Sequence, residues 1–140
     1  MNTDTKFAPE QIQQLIDHPG VGNEEYHHRG MSFYYTEGVL DLANAAGAHW
    51  LIDAIFSWQI DRHVRNEEFQ VWTLKAAINR PRHYLLICED GGKDGHESQR
   101  LATQEIEYSD FPLDHVELYV ELGSVDGKHS AQILMLPSER

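Results

Sequence analysis

The sequence predicts an α+β domain: N-terminal helices packed on one face of a four- to five-stranded antiparallel meander. Three observations predict it. Apolar residues recur at helical spacing only in the first half of the chain. After Asn66 the period changes to two, with Trp72, Leu74, Ala76 and Ile78 alternating with polar or mixed positions. Turn signals then divide the second half into short runs of similar length: Asn79-Arg80-Pro81-Arg82, Asp90-Gly91-Gly92-Lys93-Asp94-Gly95, Ser109-Asp110-Phe111-Pro112 and Asp126-Gly127.

The first helix begins at Ala8-Pro9-Glu10, because proline suits a first helical turn, and Ile12, Leu15 and Ile16 line one of its faces. His18-Pro19-Gly20 stops it. Residues 19–30, PGVGNEEYHHRG, lack apolar periodicity and read as a loop. Residues 31–35 read as a short strand or an extended lead-in. Thr36 is placed to cap a helix carrying Val39, Leu40, Leu42, Ala43, Ala45 and Ala46, which Gly47 ends or bends. A further helix over roughly residues 48–64 follows, although one helix kinked at Gly47 gives the same pattern. The strands expected next are the run through Trp72, then Tyr84–Glu89, 101–108, the alternating His115-Val116-Glu117-Leu118-Tyr119-Val120-Glu121-Leu122, and 131–136. No internal repeat and no long linker interrupts them, so residues 1–140 read as one domain: an N-terminal helix and loop (1–30), a lead-in with helices (31–66) and a sheet (67–140).

Composition narrows the function classes. The chain is 41% hydrophobic and 24% charged, a globular balance, with a net charge of −12. Nucleic-acid binding is driven largely by cations displacing counterions from phosphates, so direct nucleic-acid binding and docking on an anionic membrane are not expected. A cationic partner, or mimicry of a nucleic acid, is compatible with the charge. Cys88, the one cysteine, lies in Tyr84-Leu85-Leu86-Ile87-Cys88 and reads as a small buried hydrophobe. MNTDTKFAPE has no basic segment followed by an apolar one, and no uncharged run approaches the ~18 residues of a membrane span, so a cytoplasmic protein is expected.

No motif assembles a complete reactive site. His49, Asp53 and Ser57 run at four-residue spacing along a helix whose remaining surface carries Trp50, Leu51, Ile52, Ala54, Ile55, Phe56 and Trp58. At that spacing Asp53 is able to accept a hydrogen bond from His49 and raise its basicity, the start of an acid/base pair, which makes these two the catalytic candidates. The other reading is the solvated strip of a buried helix, and no third group is identifiable. The nine histidines, including His27-His28 in the expected loop, follow no ligand spacing and read as surface residues, so no metal and no cofactor are expected. Gly91-Gly92 lacks the lysine ending of a phosphate loop, and no serine has the turn of a hydrolase nucleophile around it. Tyr35, Trp58 and Trp72 are core residues or the walls of a pocket between helix and sheet.

The segments YYTEGVLDLANAAGAHWLIDAI, EEFQVWTL, YSDFPLDHVELYV and LMLPSE, in that order over residues 33–139, resemble a family of small bacterial, plasmid and phage proteins classed only as a domain of unknown function. The resemblance implies an accessory role on mobile elements and carries over no catalytic residue. The expectation is therefore a non-enzymatic accessory or protein-interaction domain acting through a protein partner, with a homodimer as one assembly it allows. A small-molecule enzyme or binding domain, with a pocket between the 48–64 helix and the sheet, is the rival. An acidic nucleic-acid mimic is the third reading.

Overall fold

The structure, a computed structural model, describes residues 7–20, 25–28, 33–92, 95–124 and 130–140. Helix α1 (Pro9–Asp17) buries Ile12 and Ile16, and the Gln11 side chain accepts a hydrogen bond from the Ala8 N–H at 2.8 Å, satisfying an otherwise orphaned donor. Strands β1 (Glu25–His28) and β2 (Phe33–Thr36) lead into helix α2 (Glu37–Ala46). Thr36 caps α2, its hydroxyl accepting from the Val39 N–H at 3.3 Å. Gly47 ends the helix in the left-handed region at φ 63°, a conformation without penalty for a residue lacking Cβ.

The expected 48–64 helix is two. Helix α3 (His49–Trp58) stops where Gln59 turns its side chain into the core, and Asp61, in extended conformation, caps the short helix α4 (Arg62–Arg65) by accepting from the His63 N–H at 2.8 Å. Gln59 and Gln70 are each 0% exposed. Their amides bond reciprocally at 2.9 Å, and Trp72 Nε1 donates to Gln70 Oε1 at 2.9 Å. Gln70 Nε2 also donates to the Val64 carbonyl at 2.9 Å, so the break between α3 and α4 is held open by a satisfied polar network.

Strands β3 (Phe69–Ala76), β4 (Tyr84–Glu89), β5 (Arg100–Ile106), β6 (His115–Ser124) and β7 (Ser130–Met135) follow, and a single 3₁₀ turn, Pro137–Glu139, closes the described chain. The expected meander is corrected. Among the described residues seven strands form the sheet, in the order β1-β2-β7-β6-β3-β4-β5, and it is mixed, because β2 pairs parallel with β7. Residues 25–28, expected within a loop, form β1 and pair with β2 through Tyr26↔Tyr35 and His27↔Tyr34. A four-residue strand leaves no readable alternation, and its partners are set by pairing rather than by local pattern. Consecutive order also fails between β5 and β6. The chain crosses from the β5 edge over the ends of β4 and β3 before β6 pairs with β3. Tyr84 anchors this crossing by donating to the carbonyls of Phe111 at 2.8 Å and Leu113 at 3.1 Å. Ile78, expected in the first strand of the sheet, lies beyond its end and is exposed.

The parallel β2–β7 pairing obliges the chain to cross over before re-entering the sheet at β3, and α2, α3 and α4 make that crossing. Their apolar sides meet one face of the sheet, so the buried core joins Ile12, Val39, Leu42, Leu51 and Ile55 with Trp72, Leu74, Leu86, Leu118, Val120 and Leu134.

The 3₁₀ turn fastens this arrangement. Glu139 Oε1 accepts from the Thr36 hydroxyl at 2.6 Å and from the Leu136 N–H at 2.9 Å, while Oε2 accepts from the Gly38 N–H at 3.2 Å. The carboxylate thus sits where the α2 dipole and its unpaired N–H groups favour negative charge. Ser138 donates to the Ile16 carbonyl at 2.8 Å and ties in the end of α1. A Cβ on Gly38 would stand 2.6 Å from Glu139 Oε2. Gly38→Ala is therefore expected to lower unfolding free energy by about 1–3 kcal/mol, through loss of the Glu139 hydrogen bonds. In a Glu139→Ala chain the same change should raise stability by up to ~1 kcal/mol, since alanine is the better helix former. Urea unfolding of the four chains tests this, and equal effects in both backgrounds would refute the coupling. Gln70→Leu, which orphans the buried Gln59 amide and Trp72 N–H, should lose about 1–3 kcal/mol for each orphaned group in the same assay.

Candidate functional site

Because strand side chains alternate, the residues between the core positions all face the side of the sheet away from the helices. The strand registers place them in rows. One row runs His27–Tyr34–Ile133–Glu121–Phe69 across β1, β2, β7, β6 and β3. The next runs Met135–Tyr119–Val71–Glu89, and a third runs Glu117–Thr73–Ile87–Thr103. Ile87, Ala131, Ile133 and Met135 are buried yet stand outside the main core cluster, so this open face has its own thin apolar layer. Aromatic rings pair on it: His27 with Tyr34 at 4.8 Å, and Phe69 with Tyr119 edge-on at 5.0 Å.

At one end of this face lies a cleft of about 610 Å³. Ile133 and Met135 line its apolar part, and Asp17, His18, Glu25, Thr36, Ser138 and Glu139 supply the polar groups. A smaller hollow of about 300 Å³ shares Asp17 and Ser138 with it and continues to His115 and Glu117. The C-terminal end of α1, β1, the start of α2 and the 3₁₀ turn all contribute. Glu139 is committed to the α2 N-terminus. Asp17 is not: it accepts from Gln13 Nε2 at 3.1 Å and lies in the last turn of α1, where the helix dipole opposes a carboxylate and no basic residue offsets it. A local rule broken at the wall of a concave surface is the kind of conflict functional sites retain.

The residues singled out from sequence lie elsewhere. His49, Asp53 and Ser57 are all exposed on the outer side of α3. His49 Nε2 is 2.7 Å from Asn44 Oδ1, and Ser57 Oγ donates to the Ala54 carbonyl at 2.7 Å. Between α2, α3 and the sheet, where a pocket was anticipated, an apolar void of about 10 Å³ is lined by Val39, Leu42, Ala43, Ala48, Leu51, Ile52 and Leu118. That is about the room one water needs. Trp72 is 1% exposed, within the core. Trp58 is half-buried and donates from Nε1 to Gln104 Oε1 at 2.8 Å, while Tyr35 stacks on Tyr26 at 5.7 Å.

Two histidine expectations change. His27 and His28 belong to a strand rather than a loop, and the His27 ring is exposed beside Tyr34. His83, expected at the surface, is buried: its backbone bonds to Ala77 and Arg80 draw it in after the turn, and its ring lies 3.9 Å from Glu105. His129 lies outside the described residues. Among the described residues no group of three or more His, Cys, Asp or Glu side chains is arranged to hold a metal ion. No helix among them is long and apolar enough to cross a membrane. Gly91 carries a positive φ of 80° and packs against Phe69. The cleft itself was not legible in the sequence, because its walls come from residues 17–20, 25, 36, 133, 135, 138 and 139 and no local pattern joins them.

A family model described as a family of unknown function (DUF6876) matches residues 10–140. The chain belongs to that family. No curated protein and no solved structure matches it. The family match includes β1 and all of α1 after Pro9, which lie ahead of the segments that carry the resemblance. Those segments coincide with the fastenings of the fold. YYTEG and LPSE hold Thr36, Gly38 and Glu139, EFQVW holds Gln70 and Trp72, and DFPLD is the crossing that Tyr84 anchors.

Cys88 is 0% exposed, beside Trp72 in the β3–β4 register. Burial above all, then Glu67, Glu89 and Asp90, pushes its thiol far above the usual range, so it stays neutral and unreactive at ordinary pH. A thiol reagent at pH 8 should label the native protein at least ~100-fold more slowly than the urea-unfolded chain, because labelling then requires opening of the fold. Comparable rates would overturn this placement.

Proposed function

We propose that this protein is a non-enzymatic accessory domain that receives a basic segment of a partner protein in the cleft on the open sheet face. The carrying observation is the cleft's construction: Ile133 and Met135 as an apolar floor, with Asp17 and Glu25 as carboxylates beside it. Apolar contact supplies affinity there, and the carboxylates select for cations and steer their approach. The net charge of −12 extends the same preference over longer distances. Support also comes from the recognisable segments, which maintain the scaffold, and from the filled space beneath α3, which directs attention from the helices to the opposite face.

Asp17→Asn/Glu25→Gln tests the proposal. The double variant should keep its stability or gain a few tenths of a kcal/mol, since Asp17 opposes the α1 dipole. Affinity capture from the native host with each chain, followed by mass spectrometry, should recover a basic protein with the natural chain. Recovery should fall about tenfold or more with the variant and weaken as salt is raised. Recovery of the same proteins by both chains, or of none by either, would reject the proposal.

A further inference from the structure

The open face already holds one guanidinium. Arg140 follows the 3₁₀ turn and places Cζ 4.1 Å from the Phe69 ring centroid and 5.9 Å from that of Tyr119. Its Nη2 donates to Glu121 Oε2 at 3.1 Å. We propose that Phe69, Tyr119 and Glu121 form an arginine-binding site, that Arg140 occupies it within the chain, and that an arginine of the basic partner displaces it on docking. This rests on the partner reading above and specifies its chemistry.

The geometry suits arginine rather than cations in general. A guanidinium offers a planar π surface to an aromatic ring and edge N–H donors to a carboxylate at the same time, whereas an ammonium is a compact, strongly hydrated charge. The β3–β6 register sets Phe69 beside Glu121, with Tyr119 on the same face of β6. The walls are also held without Arg140. A Cβ at Gly91 would come within 2.9 Å of the Phe69 ring, so only glycine lets the β4–β5 turn back that ring so closely. Tyr119 packs edge-on against Phe69, centroids 5.0 Å apart, a contact that does not involve Arg140. The occupant, by contrast, is loosely kept: the Arg140 side chain is 50% exposed, and an ion pair this open contributes little stability. The site is also continuous with the cleft, because Glu121 pairs with Ile133 and Tyr119 with Met135 across β6 and β7. A segment lying over Ile133 and Met135 on β7 would thus lie one strand from Tyr119 and Glu121 and two from Phe69.

The test uses ethylguanidinium and ethylammonium as probes, titrated into the natural chain, Arg140→Ala and Arg140→Gln, with the ring resonances of Phe69 and Tyr119 followed by NMR. Arg140→Gln keeps most of the side chain's packing and serves if the alanine variant unfolds. Removal of the internal competitor should tighten ethylguanidinium binding roughly fivefold or more, with ethylammonium weaker and Phe69→Leu in the same background abolishing the response. Equal binding to natural and Arg140 variants, equal binding of the two probes, or shifts away from the two rings would overturn the site. The Asp17→Asn/Glu25→Gln changes added to Arg140→Gln separate the two proposals. An unchanged ring response combined with failed partner capture by the natural chain would sink the docking reading alone. Loss of the ring response with capture intact would sink the arginine site alone.

Discussion

The contact between the Glu139 carboxylate and the first turn of α2 is the constraint on which the rest of the architecture depends. Its two oxygens accept from Thr36, Gly38 and Leu136, joining the turn after the last strand to the helix that begins the crossover. Hydrogen bonds to a charged group contribute roughly 1.5–3 kcal/mol each, and the α2 dipole adds to them. Because β2 runs directly into α2 and β7 leads into the 3₁₀ turn, the same contact aligns two strands that pair in parallel. Gly38 is the condition for it, since any Cβ there would occupy the carboxylate's place.

From that join the two sides of the sheet acquire different fates. The crossover helices must cover one face, and Trp72, Leu74, Leu118 and Val120 fill it together with Leu51 and Ile55. A polar network within that core, Gln59–Gln70–Trp72, is fully paired and sits where α3 breaks. A buried network of this kind specifies one arrangement of helix and strand more sharply than apolar packing does. The other face keeps a thin layer of Ile87, Ile133 and Met135 among Tyr34, Phe69, Tyr119 and acidic side chains. Aromatic and apolar surface interleaved with carboxylates is complementary to a basic segment, and the chain's own Arg140 is an example of such a segment seated on it.

The proposed docking cleft opens on the face away from α3, and Thr36, Ser138 and Glu139 both line it and fasten the fold. The stripe His49–Asp53–Ser57 drew attention because an acid, a base and a hydroxyl shared one helix edge, but that edge is exposed and its groups bond to Asn44 and to the helix backbone. Glu25 stood in a segment without periodicity, and Asp17, at the end of the first helix's periodic run, carried no motif. The local signal that distinguishes Asp17 is its conflict with the α1 dipole, which becomes meaningful only once the helix boundary is known.

What the sequence determined by itself was whatever rests on local periodicity and capping: α1 after Ala8, the Thr36 cap, the Gly47 stop, the alternation of β3 and β6, and the short apolar run of β4 between turns. These follow from near-neighbour sterics and hydrogen bonds, which a run of residues carries within itself. Tertiary structure alone decided the parallel β2–β7 pair, the β1 strand, the break between α3 and α4, and the gathering of Asp17, Glu25, Ile133, Met135 and Glu139 around one cleft. Each depends on contacts outside the run itself, with a neighbouring segment for β1 and the helix break and with a remote one for the parallel pair and the cleft, and such pairing leaves no periodic trace in either partner.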